Sequence, residues 1–234
     1  MESLNTPYRA VVIGATGGLG AAFVEHLEQD PNCERVVGLG RQSTPPVDLL
    51  DEASIEQAAI WLREQAKEWD LILDATGILT IDGNGPEKRL REIDPAIMAQ
   101  SFAINAIGPA LLFKHLAPLL PRNHKGVLAT LSARVGSIED NHLGGWISYR
   151  ASKAALNQIV RTTALELRFS HRQAVVIALQ PGTVATSLSE PYRARAPEVL
   201  TPAYSTGELL KVLDKRDAED SGRLYDFEGQ RLPF

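Results

Sequence analysis

The feature that most limits how this chain can fold is its opening. An apolar run, Arg9-Ala10-Val11-Val12-Ile13, breaks into Gly14-Ala15-Thr16-Gly17-Gly18-Leu19-Gly20 and resumes as a helical pattern from Ala21 to Gln29. A strand apolar along its whole length needs cover on both faces, which parallel sheets provide. Glycines between a strand and a helix let the backbone turn tightly and approach a pyrophosphate. The helix N-terminus then offers unpaired N–H groups to the anion. The spacing here is Gly-x3-Gly-x-Gly, with Gly14, Gly18 and Gly20 as its fixed points, not the Gly-x-Gly-x-x-Gly of the common dinucleotide turn.

The rest of the chain repeats that alternation. Strand patterns fall at 9–13, 35–39, 70–75, 126–131 and 174–179, and helical patterns at 18–29, 52–68, 95–119, 149–168 and 206–214. In 52–68 the residues Ile55, Ala58, Ala59, Leu62, Ala66 and Trp69 share one face. The expectation is an α/β fold, a Rossmann-type doubly wound parallel sheet with helices on both faces. Its ligands belong at the carboxyl ends of the strands. With 234 residues and 44% hydrophobic composition, one domain spanning 1–234 is the economical reading. The segment from Asp220 to Gly229 reads as a last strand and turn.

Several classes drop out on charge and composition. A net charge of −5 without a basic block argues against nucleic acid. Apolar stretches are read as broken by charge or proline before membrane-spanning length, so no membrane partner is expected. The polar, acidic start is unlike a signal segment. Cys33 is the single cysteine, which excludes an intrachain disulfide and fits a reducing cytoplasm. The five histidines lack ligand spacing, so no metal is expected.

Tyr149-Arg150-Ala151-Ser152-Lys153 opens the helical run 149–168. Residues four apart share a helix face, which puts a phenol beside an ammonium. A cation held there favours the phenolate, so the Tyr149 pKa is expected below its ordinary value near ~10, as a general acid/base requires. On the cofactor side, an NAD-selective turn places a carboxylate about 20 residues beyond the glycines. Gly40 holds that place here and Arg41 follows, able to pair with a 2′-phosphate, so NADP(H) is favoured over NAD(H).

The glycine turn and the Tyr149/Lys153 pair, in this order, resemble the short-chain dehydrogenase/reductase (SDR) family over essentially the whole chain. Gly136-Ser137-Ile138, Gly144-Gly145-Trp146 and Tyr149 to Asn157 look like its C-factor/sniffer-like carbonyl reductase branch. The resemblance implies that Thr16, Gly17, Leu19 and the three turn glycines cradle the cofactor, and that Asp48, with Leu49, meets the adenine. It implies that Ala75 and Gly77, in a partial match to the family's Asn-Asn-Ala-Gly, lie beside the ribose. Pro181, Gly182, Val184 and Thr186 correspond to the segment that meets the nicotinamide amide. By the same resemblance Tyr149 donates the proton, Lys153 holds the ribose hydroxyls, and Asn105 supports a water in the proton relay. A small carbonyl or alcohol substrate and a homodimer or homotetramer are implied as well. A cofactor-binding signalling protein of the C-factor type, with little catalysis, is the alternative.

One position departs from the family pattern. Counting back from Gly136 puts Ala133 where the family's substrate-binding serine stands. Either Ser132 or Ser137 supplies the hydroxyl through a shifted backbone, or a water replaces it, or catalysis is weak. Ser132 is the candidate taken forward. The segment from Ser187 to Arg195 looks like a substrate lid, with Leu188 and Tyr192 facing an apolar pocket and Arg193 and Arg195 on the solvated surface.

Overall fold

The computed structural model describes residues 1–196 and 198–234, with Arg195 described by its backbone only. Seven strands form one sheet in the order β2-β1-β3-β4-β5-β6-β7. They are β1 (Tyr8–Ile13), β2 (Cys33–Leu39), β3 (Leu71–Asp74), β4 (Gly126–Leu131), β5 (Ala174–Gln180), β6 (Leu224–Asp226) and β7 (Arg231–Leu232). All neighbours pair in parallel except β6 and β7, an antiparallel pair at the edge. The expected last strand and turn are β6 and the turn after it, and a further short strand, β7, follows them.

The alternation of side chains along β1 shows why both faces need cover. Val11 and Ile13 join one buried cluster with Ile55, Leu112, Leu116 and Leu156, while Ala10 and Val12 join another with Phe23, Leu27 and Leu209. The first face is covered by α2 (Glu52–Gln65), α4 (Gly108–Leu116) and α5 (Ile147–Leu167), the second by α1 (Gly18–Gln29) and α6 (Pro202–Asp214). Between β1 and β3 the strand order reverses, which opens a crevice beyond their carboxyl ends.

Several element boundaries differ from the sequence reading. The helix expected over 52–68 stops at Gln65, with Ala66 extended. Trp69 still reaches the core from beyond the helix, its indole N–H donating to Leu62 O at 3.1 Å. The run 95–119 divides into α3 (Pro95–Phe102), a π-turn (Ala103–Ile107), α4 and a final 3-10 turn. That run also corrects the reading of apolar stretches. Pro95–Leu119 is long and apolar enough, by length and composition, to cross a membrane. In the fold its apolarity serves the sheet, against which Leu112, Phe113, Leu116 and Leu119 are buried. Helix α6 starts at Pro202, four residues before the expected start, because Thr201 caps it by accepting from Tyr204 N–H at 3.2 Å.

Candidate active site

The glycine turn is built by backbone contact. Gly14 sits at φ +81, and a Cβ on Gly20 would lie 2.0 Å from Gly14 O. A Cβ on Gly18 would lie 2.6 Å from Thr186 Cγ2, so the loop after β5 closes directly onto the start of α1. Helix α1 begins without a side-chain cap, and Thr16, Gly17 and Gly18 are exposed. Amide groups on a helix N-terminus left without a side-chain cap fit the pyrophosphate of a dinucleotide.

Beyond the ends of β2 and β3 lie the other expected groups. Arg41 is exposed directly beyond β2. Asp48 is half-buried and uses one carboxylate oxygen to accept from Leu50 N–H at 3.0 Å. Leu49 packs on Gly108, where a Cβ would approach it to 2.7 Å. Ala75 N–H extends the sheet to Ile13 O, and Gly77 sits at φ +155 with Asn105 Oδ1 and Lys153 Nζ each 3.5 Å from where its Cβ would be. Asp74, just before them, is a buried structural carboxylate that accepts from Thr130 and Thr76 hydroxyls at 2.6 and 2.5 Å. Burial raises its pKa.

Asn105 occupies the π-turn between α3 and α4 and is fully buried. Its amide mimics a strand, accepting from Ile78 N–H at 2.8 Å and donating to Ile78 O at 2.9 Å. It also donates to Ser152 Oγ at 3.2 Å, and Ser152 Oγ in turn donates to Tyr149 O at 2.8 Å. The loop after β3 and the first turn of α5 are thereby tied to one side chain.

Tyr149 stands in that first turn, half-buried in the wall of a cavity of about 1210 Å³. Lys153, 3% exposed, lies behind it with Nζ 5.9 Å from the phenol ring centroid, donating to Leu131 O at 2.9 Å. Gly136 allows this closeness, since a Cβ there would come within 2.8 Å of Lys153 Cβ. The expected lowering of the Tyr149 pKa is corrected. Burial pushes the phenol up to about 12. Burial likewise brings Lys153 down to about 8, against the opposing pull of the Asp74 carboxylate. The ammonium points at a carbonyl rather than at the phenol, so desolvation decides both shifts.

The cavity joins residues from distant segments. Leu19, Pro181, Gly182, Val184 and Thr186 line it together with Tyr149 and Ser132. Val184 O already accepts from Thr186 N–H at 2.8 Å. Ser132 does not present a free hydroxyl: its Oγ is buried and donates to Asn157 Oδ1 at 2.7 Å. Ser137 is buried too and accepts from Asp140 N–H at 3.1 Å. Ala133 lines the cavity in the slot counted from Gly136.

Trp146 and Glu87 are among the cavity residues not singled out from sequence as site residues. Trp146 packs edge-on against Tyr149 and Tyr192, with ring centroids 6.2 and 5.1 Å apart. It takes φ 54 after Gly144 and Gly145 at φ 65 and 66, and the paired glycines were its one visible signal. Glu87 is a buried carboxylate from the segment after β3, with no signal in its surroundings. Tyr192 and Leu188 line the cavity as expected. Arg193 is not free surface: its guanidinium donates to Ser189 Oγ at 3.1 Å and to Thr186 O. The Arg195 side chain lies outside the described residues.

A family model described as short chain dehydrogenase matches residues 8–197. Among curated proteins, a 1-hydroxy-2-glutathionyl-2-methyl-3-butene dehydrogenase of Rhodococcus sp. (strain AD45) is 31% identical, over 81% of this chain and 79% of its own. The C-signal protein of Myxococcus xanthus is 36% identical over 62% of this chain and 83% of its own. Among solved structures, the NADPH-bound carbonyl reductase from chicken fatty liver superposes with a TM-score of 0.86 at 26% identity, covering 100% of this chain and 97% of that one.

Proposed function

The chain belongs to the short chain dehydrogenase family, a group of NAD(P)-dependent dehydrogenases and reductases, and on that premise we propose that it is an NADPH-dependent reductase of a small, uncharged carbonyl compound. The observation that carries the reading is Tyr149 in the cavity wall with Lys153 behind it, in a cavity that Leu19 of the β1–α1 turn also lines. A nicotinamide coenzyme, when bound, supplies the hydride. Gly14, Thr16, Gly17, Gly18, Leu19 and Gly20 hold its pyrophosphate, Asp48 and Leu49 its adenine side, Ala75 and Gly77 its ribose side. Pro181, Gly182, Val184 and Thr186 flank its amide.

Tyr149 keeps its proton on the phenol oxygen at neutral pH, because its pKa is about 12. It is therefore available as a proton donor to a carbonyl oxygen. An ammonium has three donors, and Lys153 uses one on Leu131 O, leaving two for ribose hydroxyls. Asn105 ties the loop after β3 at Ile78 to the pair's helix through Ser152 Oγ. Ser132 holds β4 to α5 through Asn157 and acts on the substrate only if that bond is exchanged. Arg41 is free to meet a 2′-phosphate, which supports NADP(H); the NADPH-bound chicken reductase points the same way.

The cavity wall speaks for the substrate. Trp146, Tyr192, Leu79, Leu143 and Leu188 make it apolar, while the exposed Glu92 and Asp94 outnumber Lys88 at its rim. Arg134 is drawn to the buried Asp226 at 3.4 Å. An anionic substrate meets repulsion there. The same reading extends to a homodimer or homotetramer through the helices carrying Asn105 and Tyr149, whose outer faces bear the exposed Ile107 and Leu165. The single Cys33 keeps a cytoplasmic setting part of it.

The test is NADPH consumption with a panel of neutral and anionic carbonyls, wild type against Tyr149→Phe. A loss of about 10²–10⁴-fold with cofactor binding retained is expected. Equal rates would remove Tyr149 from the mechanism. The second reading, a cofactor-binding signalling protein with weak or no catalysis, is favoured by Ala133 and by the likeness to C-signal. Cofactor binding without turnover on any carbonyl would select it.

A further inference from the structure

Helix α5 carries Tyr149, yet it starts without a cap of its own. Its N-cap residue is Trp146, in the left-handed region at φ 54, ψ 41, and makes no side-chain capping bond. A bulky residue held there is strained unless its surroundings hold it. The first N–H groups of a helix also need acceptors from elsewhere.

Glu87 supplies them from 61 residues away. Its backbone carbonyl accepts from Trp146 N–H at 2.5 Å. Its carboxylate accepts from Ser148 N–H at 3.1 Å and, through the other oxygen, from the Ser148 hydroxyl. The carboxylate is 7% exposed and forms no ion pair among the described residues. A buried carboxylate without a cation is costly unless its hydrogen bonds and a helix N-terminus compensate it, and here they do. Ser148, the residue it grips, immediately precedes Tyr149.

We propose that Glu87 is a positioning residue, a capping clamp supplied by the segment after β3 that fixes the Trp146–Tyr149 turn and so aims the Tyr149 phenol into the cavity. The inference rests on the reading of Tyr149 as proton donor. Two tethers then hold the turn. Ser101, Ser152 and Asn105 grip its inner side, with Ser101 Oγ donating to Ser152 Oγ at 3.2 Å, and Glu87 grips its leading edge. Lys153, one turn further on, keeps its own anchor at Leu131 O. Loss of the clamp therefore moves the phenol and leaves the ammonium in place.

The experiment compares Glu87→Ala, Glu87→Gln and wild type in three measurements: steady-state kinetics with NADPH, NADPH binding by fluorescence, and amide exchange of the 146–150 segment. In Glu87→Ala, kcat falls about 10–100-fold, the scale of a misaimed reacting group, while NADPH affinity stays within about threefold. Amide exchange at 146–150 speeds up in the same variant. Glu87→Gln keeps an oxygen for Ser148 N–H and recovers most of both losses. Wild-type kcat in Glu87→Ala, or a loss of NADPH affinity equal to the loss of kcat, overturns the clamp. So does unchanged exchange. If wild type binds NADPH but turns over no carbonyl, the proposed function fails on its own. The clamp is then judged by exchange and by phenol absorbance of Tyr149 against pH, which must shift in Glu87→Ala and return in Glu87→Gln.

Discussion

At the scale of single residues, the Tyr149/Lys153 pair was legible because helical spacing puts residues four apart on one face. The direction of the Tyr149 shift was not, because it depends on where Lys153 points and how deeply both are buried. The two values make a pH prediction. Lys153 is lowered to about 8, so it is a cation below that pH and loses its charge above it. Tyr149, raised to about 12, stays protonated throughout that range. The reductive kcat/KM for NADPH, which reports the free enzyme, should be level up to about pH 8 and fall above it. A rate that climbs between pH 6 and 9 would mean the phenolate is the working form. A second prediction concerns Ala133, whose identity was readable but whose consequence waited on the burial of Ser132. Ala133→Ser offers a new donor at the cavity wall and should raise carbonyl turnover, by at most the 10²–10³-fold that one oxyanion donor commands. A drop in turnover would show that another group already serves the carbonyl oxygen.

At the scale of elements, the parallel strands announced themselves as apolar runs, and 126–131 matched β4 residue for residue. What periodicity could not reveal was how helices begin and end, since those ends are fixed by contacts distant in sequence. Helix α5 starts two residues before Tyr149 because Glu87 accepts its first N–H groups. The run 95–119 bends through a π-turn that seats Asn105 against Ile78. The β1–α1 turn lends itself to a paired test, because two of its glycines face different neighbours. A Cβ on Gly20 meets backbone, Gly14 O at 2.0 Å, so Gly20→Ala must move the turn itself. A Cβ on Gly18 meets Thr186, a side chain that can give way. Gly20→Ala should cost about 3 kcal/mol or more in urea unfolding, and Gly18→Ala about 1–3 kcal/mol, the scale of overpacking. Equal costs would mean that the turn is softer than its contacts imply.

At the scale of the whole molecule, the site is where the sheet changes direction. The β1–α1 turn, the ends of β3 and β4, the loop after β5 and the first turn of α5 all meet beyond the carboxyl edge. A ligand that touches all of them binds only the folded chain and must stabilise it as a unit. By mass action, NADPH at 100 times its Kd adds about 2.7 kcal/mol. For a chain of 234 residues that is a rise of roughly 5–10 °C in Tm. The same concentration of NADH should give a smaller rise, because Arg41 finds no 2′-phosphate on it. Arg41→Asp should reverse the order, since a carboxylate repels the phosphate and accepts from ribose hydroxyls. Thermal melts of both proteins with both coenzymes decide the matter: if NADH protects the wild type as well as NADPH does, Arg41 is only a solvated strand end. The comparison isolates coenzyme choice from catalysis, because neither melt depends on turnover and Arg41 lies at the β2 end of the crevice, away from Tyr149.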